Sequence, residues 1–454
     1  MEPDQHGERM VEPRVARVAE GWARLVSESA RRYKLPGVAV AVAHGNDILW
    51  SQGFGYADID SRRRVRADTV FRIASISKVF TALAIMVLHE EGRLRLDDPV
   101  AVHVPELPDK TITIRHLLCH GSGLERETPG DRGWRTGQFL FDDDFLAAIE
   151  SAGVYFGPLE LFKYSNLGYN VLGEVISNIW GRSYEEFVER RVIAALGLGS
   201  TTYDHTRLPS ARLATGYLRR VDQSSVAPDP RAWDRIWGAA GGLCSTVGDL
   251  CVLGSMLAGR GKAPVSEKTI EAMRRPLVMA DHSWTQGHGL GPMLIRDGDV
   301  VLVGHAGGLF SFAGWLLASP ESGVGAALLT NTSDGDPLRE LAKTLIREAG
   351  ALVGAGAEAE PSTEPVPADI APLLGRYWGD TSLVTLAWRD GKLYMSPELR
   401  EGLPKPPDHG ITRTDDGKLR FDDGPYVGEA LYLERDTGGR VIGFEVCTYL
   451  FTRV

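Results

Sequence analysis

Cysteine is scarce: the chain holds four in 454 residues, Cys119, Cys244, Cys251 and Cys447, and no two form a C-x-x-C pair. That excludes a disulfide framework and a zinc ribbon, and the expectation is four reduced, mostly buried thiols. Long apolar runs are also missing. No stretch approaches the roughly 18 consecutive apolar residues of a membrane span, so no membrane partner is expected. The first residues, Met1 to Glu8, are polar and acidic. They lack the basic segment and apolar core of a signal peptide, so a cytoplasmic location is expected. Basic excess is absent: 50 Lys+Arg against 60 Asp+Glu leave a net charge of −10. Such a surface lacks the field that holds a phosphate backbone, which excludes nucleic acid as a partner. Neither a P-loop nor a dinucleotide fingerprint occurs, so no cofactor is expected. The absence of a G-x-S-x-G elbow argues against an α/β-hydrolase. Asp142-Asp143-Asp144 lacks calcium-loop spacing and reads as a solvated helix start. His116 and His120 stand four apart, a metal-ligand spacing, but no third ligand is near in sequence, so no metal is expected.

What is present is the composition of a soluble globular protein, 43% hydrophobic and 24% charged. One compositional break divides it. Residues 354–368 are small, acidic and proline-rich with no apolar period, and read as a linker. It separates a large part, 1–353, from a small one, 369–454. In the large part, Gly37 to Val42 alternates valine with alanine and leads through His44-Gly45-Asn46-Asp47 to Ile48-Leu49-Trp50, a hairpin pattern. From Ser75 the period changes. Ile76, Val79, Phe80, Leu83, Met86 and Val87 recur at three and four residues up to Gly92, predicting a helix whose apolar stripe is too wide for a surface position. A second helix is predicted from about Leu167 to Trp180, ended by Gly181, and Ser183-x-x-Glu186 fits a capping box. Residues 313–318 and 325–330 read as buried strands, and a last helix runs from about Pro337 to Ala349. The small part reads as all-β, with hairpin turns at Asp390-Gly391 and Asp436 to Gly439, and is expected to form a small barrel.

Three short elements carry chemistry. Ser75 and Lys78 stand one turn apart at the start of the buried helix. A serine hydroxyl is a poor nucleophile until a base takes its proton, and a lysine buried among apolar residues has the lowered pKa to share it. The helix N-terminus adds positive potential where an oxyanion would form. Tyr164 and Asn166 precede the second helix, where a phenol can pass a proton and an amide can orient lysine and substrate. His305 lies in Gly304-His305-Ala306-Gly307-Gly308, where glycines allow close backbone approach and an imidazole can exchange a proton near neutral pH.

The order and spacing of these elements resemble the serine β-lactamase and penicillin-binding-protein superfamily, in particular its class C-like branch of esterases and D-amino-acid peptidases. The stretches Ile112 to Leu124 and Ala240 to Thr246 resemble that branch as well. The resemblance covers residues 30–350. It implies an α/β (α+β) domain, an antiparallel sheet flanked by helices plus an all-helical subdomain. The small part resembles the lipocalin-like barrel that some members carry. Carried over, the resemblance makes Ser75 the acylated nucleophile, Lys78 its proton partner and Tyr164 the general base and acid. Asn166 then positions substrate and Lys78, and the N–H groups of Ser75 and Gly308 form the oxyanion hole. His305 replaces the lysine of the Lys-Thr-Gly strand. Because His305-Ala306-Gly307 offers neither a fixed cation nor a hydroxyl, slow nitrocefin hydrolysis relative to a simple ester or amide is expected.

Aromatic residues cluster between the motifs: Trp134, Phe139, Phe141, Tyr155 and Phe156, then Trp233 and Trp237 among Arg219, Arg220, Arg231 and Arg235. Trp134, Trp233 and Trp237, with Ala306 and Gly307, are the candidate substrate contacts. They would suit a small-molecule ester or peptide carrying a bulky apolar acyl group, and the arginines could hold a carboxylate. Three functions are therefore in view. The first is a serine hydrolase with an acyl-Ser75 intermediate and weak β-lactamase activity. The second is an acyltransferase or peptide cyclase of the penicillin-binding-protein thioesterase type, in which an amine resolves the same intermediate. The third is an inactive sensor or binding module.

Overall fold

Valine and alanine alternate along the first strand because its two faces enter two different cores. The computed structural model describes residues 13–131, 133, 139–219, 226–236, 238–354, 365–379, 383–389, 391–397, 408–423, 426–447 and 449–454. The chain divides into two compact units, Met1–Gly354 and Ala355–Val454. In the first, α1 (Pro13–Arg32) precedes the hairpin β1 (Gly37–His44) and β2 (Asp47–Asp58) and the short β3 (Arg63–Arg64). Six strands from much later in the chain complete the sheet: β4 (Val278–Met279), β5 (Gln286–His288), β6 (Met293–Asp297), β7 (Val300–Leu309), β8 (Phe312–Ala318) and β9 (Val324–Thr330). The order is β3-β2-β1-β9-β8-β7-β6-β5-β4. The last strand pairs with the first, Val38 opposite Thr330 and His44 opposite Val324.

Between β3 and β4 lie the helices α2 (Ser77–Glu90), α3 (Ile114–Leu118), α4 (Asn166–Trp180) and α5 (Val247–Leu257), and α6 (Asp336–Gly354) follows β9. On one face of β1, Val38, Val40 and Val42 pack with Trp22 and Val26 of α1 and with Leu338 and Leu345 of α6. On the other, Ala39, Ala41 and Ala43 join the core of α2 and α5, including Val79, Leu83, Leu250 and Leu253. Small side chains on that face let a wholly buried helix layer press close to the sheet. Every residue of α2 from Ser77 to Leu88 is buried, as its wide apolar stripe requires. Its few polar groups are therefore paired internally. Leu243 N–H donates to Ser77 Oγ (3.2 Å), and Thr81 Oγ1 donates to Ala239 O (2.6 Å). α4 is capped by Ser165 Oγ, which accepts from Gly168 N–H, and ends at Gly181, whose φ of +77° is the left-handed conformation that terminates a helix. Ser183 Oγ likewise accepts from Glu186 N–H at the start of the next helix.

The second unit is a closed antiparallel barrel of β10 (Gly375–Trp378), β11 (Leu383–Arg389), β12 (Lys392–Pro397), β13 (His409–Arg413), β14 (Leu419–Phe421), β15 (Ala430–Arg435), β16 (Val441–Val446) and β17 (Tyr449–Arg453). Tyr377, Val384, Leu386, Phe421, Phe444 and Phe451 fill its interior. Closure leaves no edge strand to aggregate. Cys119, Cys244 and Cys251 are buried thiols, while Cys447 is exposed. Among the described residues, no helix is long and apolar enough to cross a membrane.

Candidate functional site

Ser75 is presented by a tight 3-10 turn, Ala74–Ile76, that runs straight into α2. Ala74 has a φ of +45°, a left-handed conformation costing a non-glycine residue about 1–2 kcal/mol, so the surrounding structure must hold it. Part of that hold comes from β7. A Cβ on Gly307 would stand 2.2 Å from Ile73 O, so only glycine lets the strand seat directly against the turn. The result is a half-exposed Ser75 above a wholly buried Lys78.

Lys78 Nζ lies 3.2 Å from Ser75 Oγ and donates to Asn166 Oδ1 (2.8 Å) and Ala240 O (2.7 Å). Burial pushes its pKa well below the usual lysine value of 10.5, with Glu127 opposing and Arg126 adding to the shift. Both oxygen partners at the shorter distances are acceptors only. A neutral amine would give its two hydrogens to them and turn its lone pair to Ser75. Tyr164 packs its ring 5.0 Å from Lys78 Nζ. Burial raises the pKa of this phenol above 10.0, so it is held neutral.

Asn166 connects the centre to a carboxylate absent from the sequence reading. Its Nδ2 donates to Glu127 Oε1 (2.7 Å), which fixes the amide with Oδ1 toward Lys78. Arg126 Nε pairs with the same oxygen (3.3 Å), and its guanidinium covers the Tyr164 ring at 5.1 Å. A cleft lies over Ser75. Glu127 and Asp131 line it with Phe139, Ile236, Leu309 and Gly308. Gly308 is exposed, and a Cβ there would meet nothing within 4 Å among the described residues.

The motif residues Ser75, Lys78, Tyr164 and Asn166 thus come together. The other candidates divide. His305 is buried beneath Tyr164, with ring centroids 6.3 Å apart, and does not line the cleft. Burial lowers its pKa to about 4, so it is neutral and supplies no cation. Ala306 turns its side chain to the opposite face of β7, against the core of α1 and α6, so that side chain does not line the cleft. Gly307 seats the strand against Ile73. Trp233 does not line the cleft over Ser75 either. It packs edge-on to Phe312 (5.5 Å) under Arg72 (5.3 Å), and its Nε1 donates to Ala214 O. Trp134 and Trp237 lie outside the described residues. Two of the arginines offered for a carboxylate are engaged elsewhere: Arg231 pairs with Asp229 (3.1 Å) and Arg235 covers Phe141 at 4.0 Å.

The histidine pair also separates. His116 Nδ1 accepts from Thr113 N–H and closes the cap of α3. His120 turns the other way and meets His288 and His305, one ring nitrogen of each lying within 4.8 Å of the others. No spacing in the sequence could have joined these three.

Residues 20–351 match the family model described as Beta-lactamase, and residues 366–453 match one described as a domain of unknown function, DUF7586. Penicillin-binding protein 4* of Bacillus subtilis (strain 168) is 35% identical over 201 residues, 42% of this chain and 44% of that protein. Protein flp of Staphylococcus aureus (strain MW2) is 26% identical over 315 residues, 68% of this chain and 62% of that protein. The match therefore spans less than two thirds of either relative. The octameric penicillin-binding protein homologue from Pyrococcus abyssi superposes with a TM-score of 0.65 at 25% identity, covering 96% of this chain and 100% of that one. The D-amino acid amidase from Ochrobactrum anthropi SV3, in complex with D-phenylalanine, gives 0.62 at 25%, covering 75% and 99%.

Proposed function

This chain belongs to the β-lactamase family, and from that premise we propose that it is a serine hydrolase cleaving an ester or peptide-type amide through an acyl-Ser75 intermediate. The observation that carries the reading is the wholly buried Lys78 Nζ, 3.2 Å from Ser75 Oγ and otherwise bound to two acceptor oxygens. In this mechanism neutral Lys78 takes the Ser75 proton as Oγ attacks the substrate carbonyl. The oxyanion is received by the N–H groups of Ser75 and Gly308. The neutral phenol of Tyr164 suits a donor to the leaving amine or alkoxide better than a base, so the base role falls to Lys78. Collapse breaks the C–N or C–O bond as Tyr164 gives its proton to the leaving group and regains one from Lys78; water then attacks the acyl-enzyme, its proton passing to neutral Lys78 and from there to Ser75 Oγ as the acyl bond breaks.

The cleft also indicates a substrate class. Glu127 and Asp131 line it together with the apolar Phe139, Ile236 and Leu309. The Glu127 carboxylate in the cleft lining repels an anionic substrate and attracts an ammonium. The favoured substrate is an amide or ester of an amino acid with a free α-ammonium and an apolar side chain. The amidase neighbour, whose complex holds D-phenylalanine, supports that chemistry.

A fluorophosphonate probe tests the catalytic assignment. Mass spectrometry is expected to find one adduct, on Ser75, and none in Ser75→Ala. An unlabelled wild-type protein, or an adduct elsewhere, overturns it.

A further inference from the structure

Three fully buried imidazoles sit beneath the Tyr164 ring. His120 lies against Tyr164 with centroids 4.2 Å apart, His288 meets His120 edge-on at 5.0 Å, and His305 stands 6.1 Å from His288. Among the described residues, His120 Nε2, both nitrogens of His288 and His305 Nε2 have no hydrogen-bond partner. Leaving such groups bare costs about 1–3 kcal/mol each, so the cluster calls for an occupant.

The outer nitrogens define what the inner ones offer. Ser165 N–H donates to His120 Nδ1 (3.2 Å), so the proton of a neutral His120 is on Nε2, facing inward. His305 Nδ1 lies 2.6 Å from Ala306 O, which can only accept, so His305 turns a lone pair inward at Nε2. His288 can donate through one nitrogen and accept through the other. Burial keeps the group neutral, lowering His288 to about 3, His305 to about 4 and His120 well below its usual value. A divalent metal is poorly served here. It needs lone pairs, and His120 presents a hydrogen. A water hydrogen-bonded at about 2.8–2.9 Å sets its partners about 4.6–4.7 Å apart. One ring nitrogen of each histidine lies within 4.8 Å of the others, a span that one hydrogen-bonded water can bridge.

We infer that His120, His288 and His305 cage one internal water and form a polar cross-link between the Tyr164–Asn166 segment and β7. It runs with one donor-to-acceptor sense from Ser165 N–H, through His120, the water and His305, to Ala306 C=O. His120 Nε2–H donates to the water, one water hydrogen goes to His305 Nε2, and His288 completes its coordination. The link fixes the Ala306–Gly307 peptide immediately before Gly308, whose N–H is assigned to the oxyanion. His288 is thus a positioning residue, acting on Gly308 through water and His305.

The test uses the full chain. Crystals are grown once with EDTA and once with zinc chloride, with data also taken at the zinc edge. One water peak in the cage under both conditions, without anomalous signal, is expected. A collapsed cage without that peak, or a zinc peak bonded to the three rings, overturns the inference. Imidazole nitrogen NMR at neutral pH should show Nε2–H for His120 and Nδ1–H for His305, and either opposite tautomer overturns it. The labelling arm rests on the acyl-Ser75 reading. His288→Phe is expected to slow fluorophosphonate labelling of Ser75 on the order of tenfold, and His288→Gln to recover most of it. Wild-type labelling rates in His288→Phe remove the positioning role. If the wild type does not label at all, the acyl-enzyme reading fails while the cage is still decided by density and tautomers.

Discussion

Lys78→Met is expected to slow fluorophosphonate labelling of Ser75 by on the order of 10³-fold while leaving the fold intact. Methionine preserves the length and apolar stem of the side chain, so the buried α2 keeps its packing. What it removes is the proton acceptor 3.2 Å from Ser75 Oγ. Lys78→Arg should be as inactive, because a guanidinium does not give up its proton and its planar head has no matching space. The variant also has a thermodynamic signature. The folded pKa of Lys78 lies well below the 10.5 of the unfolded chain. Between those two values the unfolded state binds the extra proton, so wild-type stability rises with pH across that window. Lys78→Met lacks this dependence. Its melting temperature relative to wild type should therefore fall as pH is raised from about 7 toward about 10. A difference that stays flat with pH would mean that Lys78 is charged in the native protein, and the base assignment would fall with it.

Lys78 was legible in the sequence because one local fact identified it: a lone charge inside a helix otherwise apolar until His89. The alternation of Val38, Val40 and Val42 with the intervening alanines was legible for the same reason, since a strand with two buried faces writes both into consecutive residues. So were Gly181 and Ser183, whose signals are confined to a turn. The barrel followed from hairpin turns without any knowledge of its interior. Residues whose roles depend on long-range register were not legible. His288 reaches His305 because β5 and β7 flank β6, with Met293 opposite both His288 and Gly304. Glu127 reaches Asn166 across 39 residues through one hydrogen bond. Trp233 misled because an aromatic residue pinning a loop to the core and one lining a cleft have the same composition signal. His305 sat at the expected position in the chain, yet its ring is buried under Tyr164 instead of lining the cleft.

Glu127→Gln should separate substrate selectivity from catalysis. Glutamine keeps the oxygen that Asn166 Nδ2 donates to, so the amide can still present Oδ1 to Lys78. Fluorophosphonate labelling of Ser75 should therefore change by less than about tenfold. The negative charge at the cleft is lost. For a D-phenylalanine amide or ester, kcat/KM is expected to fall about 10–100-fold, the magnitude of a charge-assisted hydrogen bond to an ammonium of about 1.5–3 kcal/mol. The N-acetylated form of the same ester carries no ammonium and should lose little, so the ratio between the two substrates is the informative quantity. Asp131 and Glu127 both line the cleft, but Asp131 accepts from Gly133 N–H (2.6 Å) and Leu140 N–H (3.3 Å) and is committed to shaping its loop. Asp131→Asn should accordingly affect both substrates alike. If Glu127→Gln instead weakens the free and acetylated esters equally, Glu127 acts only by orienting Asn166 and Lys78. The cleft would then select by shape, through Phe139, Ile236 and Leu309, rather than by charge.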